Sequence, residues 1–266
     1  MTATATAASL ASFTLGDGLL GTVLLHGFLG SGKNLRTLAQ QWLARDPRQR
    51  FLIPDLLGHG DSPPLPPSAT LATAAAAVLQ SAAEANLPHP LQIVGHSLGG
   101  RIALACARLA PERVADVVLL DIGPGPIDPG KSQSRHVLDV MLRAPAEVAD
   151  RRDMRAFFID QGLSPGLSDW IVMNLRADQD RYVWRIDRLA LDALHTTFTA
   201  DDLWSVLEDQ EVPVHCAVGE KSTYVMPDER ERMRSLGCEV QVFEGAGHYI
   251  HVDALAPLVD WLAALS

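Results

Sequence analysis

Residues 91–100 read Leu91-Gln92-Ile93-Val94-Gly95-His96-Ser97-Leu98-Gly99-Gly100, and they decide the architecture. An apolar run suited to a buried strand ends at Gly95, and a helix-like segment follows over residues 101–109. A G-x-S-x-G turn between strand and helix holds its serine in strained backbone geometry that only small flanking residues permit. The Ser97 hydroxyl is thereby raised above the sheet, beside the positive end of the helix. The bare pattern is common in unrelated chains; the strand before it and the helix after it give it meaning. Gly100 adds clearance.

Working outward, strand-like and helix-like segments alternate: strands at residues 22–25, 51–53, 91–94 and 114–120, and helices at 35–44, 71–85 and 101–109. The continuous aliphatic runs suit strands buried on both faces, so the pattern predicts an α/β fold with a mostly parallel central sheet and helices on both faces. Pro63-Pro64-Leu65-Pro66-Pro67 reads as a stiff loop, with Ser68 or Thr70 placed to cap the Ala-rich helix after it. From Asp121 to Val212 the alternation stops, and arginines stand among aromatics in helix-like, mixed sequence. It then resumes with strands at 212–218 and 239–243 and helices at 228–234 and 253–265. The expected division is a core over 1–124, an inserted helical cap over 125–207, and the rest of the core over 208–266.

The formal net charge is −10, with 32 acidic against 22 basic residues and no basic run. Nucleic acid and anionic membranes both require a basic footprint, so neither is expected as a partner. Cys106, Cys216 and Cys238 are too few and too scattered for a disulfide framework or a paired zinc site, and Cys106 and Cys216 read as small core residues. Residues 1–12 lack the basic start and long apolar centre of a signal peptide, and read as a loose end leading into the first strand. No apolar stretch approaches the roughly 20 residues that span a bilayer, so a soluble, cytoplasmic protein is expected, with no membrane insertion.

A serine hydroxyl needs a base, and the base needs an orienting acid. His248 lies in Gly245-Ala246-Gly247-His248, after the last strand-like run, where a parallel sheet brings its loop to the same edge as Ser97. His251 and His96 are its competitors. A tetrahedral intermediate also needs two backbone donors. The Leu98 amide supplies one, and the Phe28 amide, in the loop His26-Gly27-Phe28-Leu29-Gly30-Ser31-Gly32, is expected to supply the other. That loop is no phosphate cradle, since Gly30-Ser31-Gly32-Lys33 lacks the leading glycine of a P-loop and Asn34 follows the lysine.

The His26-Gly27 loop, Asp55-Leu56-Leu57-Gly58-His59-Gly60-Asp61-Ser62, the Ser97 turn and the Gly247-His248 loop stand in an order that resembles the α/β-hydrolase family across nearly the whole chain. Serine at position 97 sets the chain apart from members that use aspartate there. The Asp55–Ser62 segment is expected to shape a turn near the site rather than to supply a base. In most of the family the acid stands three residues past a glycine that here resembles Gly219, but that position is Ser222. Glu220 and Asp228 are nearby carboxylates, and Asp121 ends the preceding core strand.

Asp121-Ile122-Gly123-Pro124 resembles the Asp-Ile-x-Pro segment of YbfF-type esterases and their mitochondrial relatives. The resemblance implies Ser97, Asp121, Ser222 and His248 as the catalytic set, with Glu220 as the alternative acid. The implied reaction is hydrolysis of a small-molecule carboxylic ester or thioester, of small to medium acyl chain, through an acyl-enzyme, with no metal or organic cofactor. Phe157, Phe158, Trp170, Tyr182, Trp184 and Trp204 are candidates for an acyl pocket, though most are expected to pack as cap core. Two other readings stand beside it. MenH-type lyases share the His26–Gly32 loop and an arginine at the position of Arg101, but usually have tyrosine in place of His96. A non-catalytic ligand receptor on the same fold is the other.

Overall fold

The computed structural model describes residues 8–128 and 133–265. Residues 1–7 of the expected loose end and 129–132 of the expected cap lie outside the described residues. The core sheet holds β1 (Ser12–Leu15), β2 (Leu20–Leu25), β3 (Gln49–Pro54), β4 (Leu91–His96) and β5 (Val114–Leu120), joined after an insertion by β9 (Val214–Gly219) and β10 (Glu239–Phe243). The strand order is β1-β3-β2-β4-β5-β9-β10, and only β1 runs antiparallel, pairing Phe13 with Ile53 at the sheet edge. This strand begins at Ser12, the last residue of the segment read as a lead-in.

The aliphatic runs follow from burial on both faces. Val23 and Leu25 of β2 and Val117 and Leu119 of β5 face one hydrophobic core, whereas Leu24, Val118 and Leu120 face the other. Helices α2 (Leu71–Glu84) and α3 (Leu98–Leu109) cover the first face. Helix α1 (Arg36–Arg45) and the C-terminal α11 (Leu255–Leu265) cover the second, with Trp42 and Leu258 fully buried there. Thr70 caps α2, its hydroxyl accepting from the Thr73 N–H at 3.2 Å. Cys106, Cys216 and Cys238 are buried and free. Among the described residues, no helix is long and apolar enough to cross a membrane.

Between β5 and β9 the chain forms α4 (Gln133–Arg143), β6 (Glu147–Val148), α5 (Arg151–Asp160), α6 (Pro165–Ile171), β7 (Leu175–Asp178), β8 (Arg181–Trp184), α7 (Arg188–Ala200) and α8 (Trp204–Glu208). Most of this insertion is helical, and β6, β8 and β7 add to it an antiparallel three-stranded sheet that the sequence pattern did not show. Its hairpin turns through Gln179, at φ 56°, and Asp180, without the Asn-Gly or Asp-Gly that marks such turns, and its strands are too short to show a period. The two ends of the insertion are tied together. Ile127 N–H donates to Thr199 O at 2.8 Å and Leu203 N–H to Pro124 O at 3.0 Å.

After the insertion, α9 (Pro227–Ser235) leads into β10, and the short α10 (Ile250–Asp253) into α11. The C-terminal ends of β2, β4, β5 and β9 thus open on one edge, where loops from distant parts of the chain meet.

Candidate active site

Ser97 sits at φ 52° and ψ −116°, between the last residue of β4 and the first of α3. The glycines around it are required by contact. A Cβ on Gly95 would lie 2.2 Å from the carbonyl of Gly99, and one on Gly99 would lie 2.4 Å from Leu25 O. Helix α3 therefore begins directly after Ser97, ahead of the residue 101 expected from composition, because close packing overrides the poor helix propensity of two glycines. Leu29, Ser97 and Asp121, past the ends of β2, β4 and β5, all hold left-handed φ values of 62°, 52° and 56°. Such strain in non-glycine residues gathers where function constrains the backbone.

The fully buried Asp121 accepts from the Gly219 N–H through Oδ1 at 3.0 Å. Its Oδ2 lies 2.7 Å from His248 Nδ1 and also accepts a bond from the Ser222 hydroxyl. The bond to a carboxyl makes Nδ1 the protonated nitrogen, which leaves Nε2 of His248 with its lone pair. The structure thus brings Asp121, Ser222 and His248 together. It does not bring Glu220 to them. The exposed Glu220 accepts from the Gly245 N–H at 2.8 Å, and Asp228 is exposed at the start of α9. Ser97 and His248 line the same cavity, and among the described residues no hydrogen bond holds the Ser97 hydroxyl.

The loop after β2 is braced by the Asp55–Ser62 segment. His26 Nε2 accepts from the Leu56 N–H at 2.9 Å, and burial lowers the His26 pKa to about 3, so the ring is a neutral strut. Asp55 accepts from the Gly32 and Asp61 N–H groups, both at 2.8 Å. Gly60, at φ 54°, passes so close that a Cβ would meet Asp55 Oδ2 at 1.9 Å. His59 is fully buried, held neutral by burial at a pKa of about 4, with its ring 5.9 Å from that of Phe28. The N–H groups of Phe28 and Leu98 make no backbone hydrogen bond among the described residues.

A cavity of about 400 Å³ joins these parts. His26, His96, His248 and His251 line it with Phe28, Leu35, Val137, Leu167, Trp170, Tyr224 and Tyr249, and among the described residues no Lys, Arg, Asp or Glu does. His96 Nε2–H donates to the His248 carbonyl at 2.9 Å, and burial followed by repulsion from His248 and His251 depresses its pKa. Burial lowers that of His251 to about 4. Neither competitor meets Asp121.

Of the six aromatics expected around the pocket, Trp170 alone lines it, while Phe158 and Trp204 are buried and Phe157, Tyr182 and Trp184 pack against the core. Sequence reasoning missed Tyr224, whose ring stacks on His248 with centroids 3.9 Å apart and an interplanar angle of 21°. No spacing rule signals such a contact. Arg101 is fully buried away from the cavity, donating to the carbonyls of Gly123 at 3.1 Å, Gly125 at 2.7 Å, and Asp201.

A model of the alpha/beta hydrolase family matches residues 22–261. The chain is 29% identical over 266 residues to the sn-1-specific diacylglycerol lipase ABHD11 of Mus musculus, covering 94% of this chain and 82% of that protein. It is 27% identical to the putative 2-succinyl-6-hydroxy-2,4-cyclohexadiene-1-carboxylate synthase of Bacillus subtilis, over 87% of this chain and 84% of that one. It is 25% identical to esterase YbfF of Escherichia coli, covering 87% of each chain. The solved structure of a marine microorganism esterase aligns with a TM-score of 0.83 at 20% identity, over 97% of this chain and 98% of its own, a likeness of fold.

Proposed function

Because this chain belongs to the alpha/beta hydrolase family, we propose that it is a serine hydrolase that cleaves neutral carboxylic esters or thioesters of small to medium acyl chain. The observation that carries this reading is the Asp121 carboxyl, bonded at once to His248 Nδ1 and to Ser222. With its tautomer fixed, His248 takes the proton of Ser97 through Nε2 as Oγ attacks the substrate carbonyl carbon. The N–H groups of Phe28 and Leu98 receive the oxyanion. Collapse expels the alcohol or thiol, which leaves with the proton from His248, and water activated by the same nitrogen then cleaves the acyl-enzyme. Ser222 holds Asp121 in place, and the insertion over residues 125–207 serves as the cap that roofs the serine.

The cavity is of the size and polarity of small-molecule pockets, and the lack of ionic side chains among the described residues that line it favours neutral acyl groups over polyanionic substrates. An uncharged glycerolipid ester, of the kind named for the mouse relative, has this character. The same lining speaks against the lyase reading, whose substrate carries carboxylates, and the burial of Arg101 removes the arginine that suggested it. Three free cysteines and the absence of a disulfide among the described residues favour a reducing, cytoplasmic setting.

The test uses a fluorophosphonate probe and a series of p-nitrophenyl esters. Labelling and turnover, both abolished by Ser97→Ala, are expected, together with no turnover of the substrate of the MenH-type lyases. Failure to label at high probe concentration would leave the receptor reading in its place.

A further inference from the structure

We propose that Tyr224 is a positioning residue for His248, fixing the plane of the imidazole by stacking against it. The proposal rests on the reading of His248 as the base. The bond from His248 Nδ1 to Asp121 sets the direction of one ring nitrogen, but a single hydrogen bond leaves the ring free to turn about the N–H···O axis. Nε2 would then sweep an arc, and a proton transfer needs it at one place on that arc. A flat stack at 3.9 Å and 21° opposes that rotation. The His96 ring, at 4.6 Å and 47°, offers a looser contact, and its polar hold on this loop is to the His248 carbonyl rather than to the ring.

Tyr224 is itself held at both ends. Its main-chain N–H donates to Ser222 Oγ at 3.2 Å, and that hydroxyl donates to the same Asp121 oxygen that faces His248. His248, Asp121, Ser222 and Tyr224 therefore form a closed circuit of contacts. At the far end the phenol oxygen accepts from the Ser134 N–H and shares a hydrogen bond with the Ser134 hydroxyl, at the start of α4. The Ser134 hydroxyl also lies 2.9 Å from His195 Nε2, and the His195 ring meets Phe28 edge-on at 5.3 Å. One serine of the insertion thus touches the supports of both the base and the loop after β2.

Tyr224 also lines the cavity, so a wall role and a positioning role must be told apart. The test compares Tyr224→Leu and Tyr224→Phe on p-nitrophenyl acetate and on a longer ester, with thermal melts as the check on folding. In Tyr224→Leu, kcat is expected to fall by about tenfold or more on both esters, with KM within about twofold, whereas Tyr224→Phe keeps the ring and restores most of kcat. The low-field proton resonance of the His248 Nδ1–H is expected in the wild type and in Tyr224→Phe, and broadened in Tyr224→Leu. If the leucine variant does not fold, Tyr224→Met makes the same comparison. A rise in KM confined to the longer ester, with kcat kept, overturns the proposal in favour of a wall; so does a Tyr224→Phe variant as impaired as Tyr224→Leu. If Ser97→Ala retains turnover, the serine hydrolase reading fails first. If Ser97→Ala is inactive and Tyr224→Leu is fully active, only the present proposal fails.

Discussion

Asp121 follows β5 directly and Gly219 ends the neighbouring parallel β9, and the Gly219 N–H donates to Asp121 Oδ1 at 3.0 Å. The bond turns the other oxygen of the carboxyl toward the loop that follows β10. Gly219 could hold no side chain there, since a Cβ would lie 2.2 Å from Gly247 O in that same loop. On the proposed reading, the glycine that ordinarily precedes the acid in this family keeps its place, and its N–H holds the Asp121 carboxyl of the neighbouring strand.

This placement gives the first expectation. Asp121→Asn should lower kcat for an aryl ester on the order of 10³–10⁴-fold, because an amide at this position no longer enforces the productive histidine tautomer. Glu220→Gln, altering an exposed carboxylate that among the described residues bonds only to a loop N–H, should change kcat by less than about twofold. Steady-state kinetics of both purified variants decide it, and collapse of the second alone would move the acid to Glu220.

Arg101 gives the second. Its guanidinium supplies the carbonyls of Gly123, Gly125 and Asp201, where the chain leaves the core and where it returns. Arg101→Met should cost about 3 kcal/mol or more in urea unfolding, since buried acceptors lose their donor, while KM for a neutral ester changes by less than about twofold. A variant of unchanged stability and raised KM would mean that this guanidinium works on the substrate.

The buried histidines give the third. Burial lowers the pKa of His26 to about 3 and those of His59 and His251 to about 4, so these rings are neutral when folded and take a proton near 6.5 when unfolded. Between about pH 6.5 and 4 the unfolded chain binds more protons, so the stability present above that window is lost as pH falls through it. Each such ring contributes a slope approaching about 1.4 kcal/mol per pH unit. Urea unfolding at about pH 7 and about pH 5 should show a clear drop in midpoint at the lower value. An unchanged midpoint would show that these rings are not kept neutral.

Much of this was legible in the chain itself, for physical reasons. Strands covered on both faces print as aliphatic runs, which made β2, β4, β5 and β9 readable. Ser97 and His248 were readable because a parallel sheet carries residues far apart in sequence to one edge. The β7–β8 hairpin was not, because Gln179 takes a left-handed conformation that its side chain does not advertise. Leu29 is hidden for the same reason, whereas the left-handed Asp121 is of a residue type that tolerates this geometry. Tyr224 left no trace, since a ring stacked across space obeys no spacing along the chain. Most of the six aromatics pack the insertion, as expected of such residues, and only Trp170 reaches the cavity, a choice that composition does not mark.

The neck of the insertion carries a consequence for descent. Ile127 bonds to Thr199 and Leu203 to Pro124, so a long excursion of the chain departs and rejoins at nearly one point. A segment whose ends meet can be lengthened, shortened or traded for another without altering the order of the strands beneath it. The sheet and its loops then act as a fixed socket, and exchange of the piece plugged into it would change the part of the cavity wall formed by Val137, Leu167 and Trp170.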